Sequence, residues 1–308
     1  MGGNQIQALA REVRGQSEVL ERFARSKLPK APRGSIFVGA GDSYAAALAG
    51  FYASGGRCIA LDPYSLAATP EMAEGLEVFF ISVSGRTASN IIAAKKAGRY
   101  AKRMTALTAV DDSQLARLTG RVVKLPLDYV PRTVGMSSFS SSLLAVLGIA
   151  GGRVDCDFQS AYKRAVKDWR MISYGKGTTY FLGNSLAYPA ALYAAAKTYE
   201  ILGFKAHAEL LEEFSHLELF SLERADVVNI LSCFDPSDIS RKLKAVLSGQ
   251  GYQCSKVPTS GASNADRLFH SVFVVQLSII DRARKAGLGE PGFLGEVGRL
   301  RASDAMIY

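Results

Sequence analysis

Three hydroxyl side chains and one glycine stand within six residues at Ser82-Val83-Ser84-Gly85-Arg86-Thr87. The apolar run Val78-Phe79-Phe80-Ile81 leads into them and a helical stretch follows, so the segment reads as a strand–loop–helix joint. Unpaired backbone N–H groups and the helix dipole favour an anion at such a helix start, and the hydroxyls add donors. A phosphate monoester can be held that way without a lysine. Ser and Thr are also preferred as plain helix caps, and the motif alone leaves that alternative open. A second loop, Gly39-Ala40-Gly41-Asp42-Ser43, opens into a helix in the same way. It lacks the third glycine of a dinucleotide fingerprint and the lysine of a P-loop, which argues against both nucleotide chemistries.

These loops need elements to hold them, and the strongest signal for those is internal similarity. The run Phe37-Val38-Gly39 with its Ala-rich sequel returns as Phe181-Leu182-Gly183 before another Ala-rich stretch. Val78-Phe79-Phe80-Ile81-Ser82 has a counterpart in Val227-Val228-Asn229-Ile230-Leu231-Ser232. Strand–loop–helix units repeated in this manner predict parallel sheets with crossover helices. The expected fold is α/β, with two tandem doubly wound, flavodoxin-like domains. The spacing places a helical lead-in at 1–32, a first domain at 33–152, a bridging helix within 153–175, a second domain at 176–286 and a tail at 287–308. Strands are expected at 35–39, 57–62, 78–82, 103–108 and 121–125, then at 179–183, 206–210, 227–232 and 252–257. The Gly-rich stretch 287–298 reads as a mobile tail.

Bulk composition narrows the class. With 308 residues, 48% hydrophobic and 21% charged, the chain has the make-up of a two-domain globular protein. No apolar run approaches the ~18 residues of a membrane-spanning helix, and the first residues carry no secretory pattern. Cys58, Cys156, Cys233 and Cys254 are scattered, with no pairing expected of a zinc site or a disulfide framework. A cytoplasmic protein with no membrane partner is expected. The formal net charge of +9 suits anionic ligands, yet the basic residues are dispersed and no nucleic-acid-binding signature accompanies them, so no nucleic acid is expected.

Taken together, Gly41-Asp42-Ser43, Ser82-Val83-Ser84-Gly85-Arg86-Thr87 and Val134-Gly135-Met136-Ser137-Ser138 resemble the sugar-isomerase (SIS) domain. The whole chain resembles the isomerase half of glucosamine-6-phosphate synthase without its glutaminase half, down to the lead-in Glu12-Val13-Arg14-Gly15-Gln16-Ser17. The resemblance implies that Gly41, Ser43, Ser82, Ser84, Thr87, Ser137 and Ser138 hold a sugar phosphate. It departs from the family at Val83, where Gln is usual, and at Arg86, where Glu is usual. The stretch from Lys197 to His216 matches the family without a gap, which implies Glu200 as catalytic carboxylate, His216 as ring-opening histidine and Lys197 as active-site lysine.

Chemistry supports that assignment on its own terms. Residues 197 and 200 share a helix face, so Lys197 can keep Glu200 ionised. Aldose–ketose interconversion needs one base to carry a proton between C1 and C2 and a second group to open the ring. A carboxylate and an imidazole suffice, with no metal and no cofactor. Against this stand the plainer alternatives of a surface ion pair and a solvated histidine near carboxylates. His207 and His270 match nothing in the family and read as structural. The tail departs most: Gly292 stands where the family has Arg, and Glu296 where its Lys reaches the sugar. The expectation is an isomerase of hexose or hexosamine 6-phosphates that can use or release free ammonia, working as a homodimer with shared sites. A phosphoglucose/phosphomannose isomerase and a non-catalytic sugar-phosphate sensor are the alternatives.

Overall fold

A computed structural model describes residues 4–131, 133–231 and 238–307. Ser232 and Cys233, singled out above, lie outside the described residues. The chain divides into two units, one made of residues 19–154 and 297–307, the other of residues 4–18 and 155–296. Helix α1 (Gln5–Ala24) contributes to both.

The first unit holds a parallel five-stranded sheet: β1 (Ile36–Val38), β2 (Ile59–Leu61), β3 (Glu77–Ile81), β4 (Arg103–Thr108) and β5 (Val122–Lys124), in the order β2-β1-β3-β4-β5. Parallel neighbours need crossovers, supplied by α2 (Asp42–Ala53), α3 (Pro63–Ala68), α4 (Ala88–Ala97) and α5 (Gln114–Thr119). Helix α6 (Ser137–Gly151) follows β5 and is buried from Phe139 to Ala150. Helices on both faces explain why the strands read as unbroken apolar runs. Ile36, Val38, Val78 and Phe80 enter one core layer with Leu66, Ala93 and Leu115. Phe37 and Phe79, pointing the other way, stack with ring centroids 5.3 Å apart.

The second unit holds a parallel four-stranded sheet: β6 (Thr179–Gly183), β7 (Ala206–Glu209), β8 (Val227–Leu231) and β9 (Gln253–Val257), in the order β7-β6-β8-β9. Its helices are α7 (Phe158–Asp168), α8 (Ala187–Lys197), α9 (Leu211–His216), α10 (Ile239–Gly249) and α11 (Asn264–Lys285). Among the described residues nine strands thus stand where nine were expected: β4 and β6 keep the expected bounds, β3 is shifted by one residue, and β1, β2, β5, β7 and β9 are shorter. Gly39 and Gly183 occupy matching places in the two units. A Cβ on either would lie 2.5 Å or 2.7 Å from the first-turn backbone carbonyl of α2 or α8, so only glycine lets each helix begin this tightly on its strand.

Within 153–175, α7 ends at Asp168 and tightens into a 3-10 turn at Trp169–Met171. One expectation is corrected: the tail carries a 3-10 turn at Gly292–Gly295 and helix α12 (Val297–Ile307). Among the described residues no helix is long and apolar enough to cross a membrane.

Candidate functional site

Strands β1 and β3 are parallel neighbours, with Val38 opposite Phe80, so the loops after them leave the same sheet edge. The strand order reverses at this pair, the place where open α/β sheets bind ligands beyond their carboxyl ends. Both predicted anion loops are there.

In the loop after β3, Ser82 and Ser84 are buried. The Ser82 hydroxyl accepts from the Gly85 N–H at 3.1 Å and lies 3.1 Å from the Thr87 hydroxyl. The Ser84 hydroxyl accepts from the Arg86 N–H at 3.2 Å. Gly85 has φ +61, and a Cβ there would sit 2.0 Å from the Ser113 hydroxyl. Thr87 is the N-cap of α4 by position, yet its side chain makes no capping hydrogen bond. That outcome goes against the plain capping alternative for this residue. Elsewhere the chain does cap its helices: Asp62, Ser113, Asp157 and Ser263 each accept from first-turn N–H groups of α3, α5, α7 and α11.

The loop after β1 starts α2 at Gly41, with φ 57 and no side-chain cap. Asp42 and Ser43 occupy its first turn. Helix α6 also starts without a side-chain cap, and Ser137 and Ser138 are its first residues. The two starts meet at Gly135, where a Cβ would fall 2.7 Å from Asp42 Oδ2 and 3.0 Å from the Ser138 hydroxyl. The unit therefore brings Gly41, Ser43, Ser137 and Ser138 to one place and sets Ser82, Ser84 and Thr87 on the neighbouring loop of that sheet edge.

In the other unit Lys197 closes α8 and Glu200 sits on the π-helical turn Thr198–Leu202 that continues it. Wide turns of this kind recur at functional sites. The ammonium of Lys197 is bonded to Glu200 Oε2, and the two side chains are 1% and 39% exposed. The surface-pair alternative is thereby excluded for the lysine, because a cation sealed from water needs its carboxylate. The Lys197 Nζ also lies 5.4 Å over the ring of Tyr193. Gln276 of α11 donates to the Tyr193 hydroxyl at 3.1 Å, and Gln16 of α1 donates in turn to Gln276. Sequence reasoning missed this chain of buried polar groups. The four-residue spacing of Tyr193 and Lys197, and the place of Gln16 in the lead-in motif, were the available signals.

Gly292 packs against the same π turn: a Cβ there would meet the Gly203 N–H at 3.1 Å and the Ile201 carbonyl at 3.2 Å. The glycine that stands in the family's Arg position thus has its own steric reason. His216 ends α9, two-thirds exposed, with Nε2 3.1 Å from Glu212 Oε1. Among the described residues of its own unit His216 makes no other ion pair. His270 is fully buried and its Nε2 lies 3.0 Å from Asp168 Oδ2.

No family model matches the sequence, and no curated protein matches it. Solved structures do. Glucosamine-6-phosphate deaminase from Thermotoga maritima is 18% identical, with a TM-score of 0.73 over 92% of this chain and 97% of that one. The C-terminal domain of glucosamine-fructose-6-phosphate aminotransferase from Francisella tularensis is 15% identical, with a TM-score of 0.71 over 91% of this chain and 96% of that one. Tagatose-6-phosphate ketose/aldose isomerase from Escherichia coli is 15% identical, with a TM-score of 0.65 over 94% of this chain and 92% of that one. The chain is an α/β protein with two parallel sheets. Its fold is that of the sugar-isomerase (SIS) proteins, as the three loop motifs implied.

Proposed function

We propose that this chain is a sugar-phosphate aldose–ketose isomerase of the SIS type, built from two tandem doubly wound domains. Its substrate class is a hexose or hexosamine 6-phosphate, with free ammonia entering or leaving when the sugar is aminated. The observation that carries the reading is the helix start after β3, where buried Ser82 and Ser84 and the uncapped Thr87 stand at the point of strand reversal. A phosphate monoester fits donors arranged in that way. In this reading Glu200 moves the proton between C1 and C2, Lys197 holds it in place, and His216 opens the ring in a second copy's site. The names of the similar structures, a deaminase, an aminotransferase domain and a ketose/aldose isomerase, belong to that same chemistry.

The experiment is a panel of hexose and hexosamine 6-phosphates, assayed with and without ammonia for exchange of the C2 proton with solvent. Exchange with at least one member is expected, and none with the unphosphorylated sugars. A non-catalytic sensor is the second reading, favoured by Glu296, an anion where the family's lysine would meet the sugar. Binding of a sugar phosphate without any exchange would establish the sensor in its place.

A further inference from the structure

Strand β7 carries His207 and Glu209, two residues apart and so on one face of the sheet. The 3-10 turn Glu218–Ser221 brings a second carboxylate to them. His207 Nε2 lies 3.1 Å from Glu218 Oε1 and 3.6 Å from Glu209 Oε2. One ligand atom from each of the three lies within 4.8 Å of the others. Ligands held about 2.1 Å from a first-row metal ion are spaced about 3.0 Å apart in an octahedron and about 3.4 Å in a tetrahedron. The His207–Glu218 separation falls in that range, and the His207–Glu209 separation lies about 0.2 Å above it.

Hydrogen bonding supplies a second observation. His207 Nε2 and Glu218 Oε2 are both sealed from solvent, and neither has a partner with hydrogen-bond geometry. Two orphaned atoms at one spot call for an ion or a water. A protonated imidazole clasped by two carboxylates is the competing account, but that arrangement would point Nε2–H along a hydrogen bond to one of them. The ligands are also oriented from behind. Glu209 Oε1 accepts from the Leu210 N–H at 2.8 Å, which turns Oε2 to the cluster. The His207 ring stands edge-on to Tyr180, with centroids 6.1 Å apart.

We propose that His207, Glu209 and Glu218 form a binding site for a first-row divalent cation of zinc's class. An imidazole among the ligands selects such an ion over magnesium or calcium, which take oxygen ligands. Three protein ligands leave the ion a further position for a water or a small ligand. The site does not depend on the sugar-phosphate reading and replaces the expectation that His207 is structural.

The test uses the whole protein, stripped with a chelator and titrated with Zn²⁺ by calorimetry and with Co²⁺ by visible absorption. One saturable equivalent and cobalt bands of an imidazole–carboxylate site are expected. His207→Ala, Glu209→Gln and Glu218→Gln should each weaken uptake at least about tenfold. The two Gln variants keep side-chain shape, and circular dichroism checks that they remain folded. Absence of saturable uptake, or uptake that all three substitutions leave unchanged, overturns the proposal.

Discussion

Glu200 is a carboxylate bonded to a cation that water cannot reach, and this decides what an amide in its place will do. Glu200→Gln keeps the shape and loses the base. Under the proposed isomerase reading, kcat should fall on the order of 10²–10⁴-fold while a substrate analogue binds almost as before. The comparison to make is single-turnover proton exchange against calorimetry of the analogue. His270 offers a test without substrate. Burial pushes its imidazole below the usual histidine range, and Asp168 only partly offsets this. The unfolded chain therefore takes up a proton more readily, so the neutral histidine's stabilisation is complete above the unfolded value of about 6.5 and is lost as pH falls below it. His270→Gln should flatten the fall in melting temperature between about pH 6.5 and 5, measured beside the parent.

Glycines set the limits at the scale of the element. Gly41 and Gly85 both have positive φ, but a Cβ at Gly41 meets nothing within 4 Å whereas one at Gly85 runs into Ser113. Gly41→Ala should cost about 1–3 kcal/mol of backbone strain alone. Gly85→Ala should cost more and displace the serine loop, weakening sugar-phosphate binding in calorimetry; equal effects of the two would refute the steric argument. Elements differed in how much the sequence disclosed. Strands were legible because helices bury both faces. The π turn under Glu200 was not legible, since one residue of extra turn leaves the apolar pattern of Ile201 and Leu202 looking helical. Helix α12 buries none of its residues, so no apolar stripe announced it. The hydroxyl loops were readable as an anion site or as caps, and the structure bears on that choice only at Thr87, which makes no capping bond.

At the scale of the whole molecule, the proposed reading needs two copies, because exposed His216 completes a partner's site and not its own. Glu200→Gln and His216→Gln proteins, each inactive, should regain about a quarter of parental activity when unfolded together and refolded, since half the dimers are mixed and each has one intact site. No recovery, with mixed dimers present, would falsify the shared site.

Neither unit is a continuous stretch of chain, and this bears on how the molecule is made. The five-stranded unit lacks only α12 once residue 154 has left the ribosome. The four-stranded unit waits, because α1 lends it Ile6, Leu9 and Val13, all buried in the finished fold. The bond from Gln16 to Gln276 joins residues 260 positions apart. At about 5–20 residues per second, Gln16 waits roughly 13–50 s for Gln276 to be made. For that interval Gln16 lacks its partner, so slower synthesis should lower the fraction of chains that fold correctly.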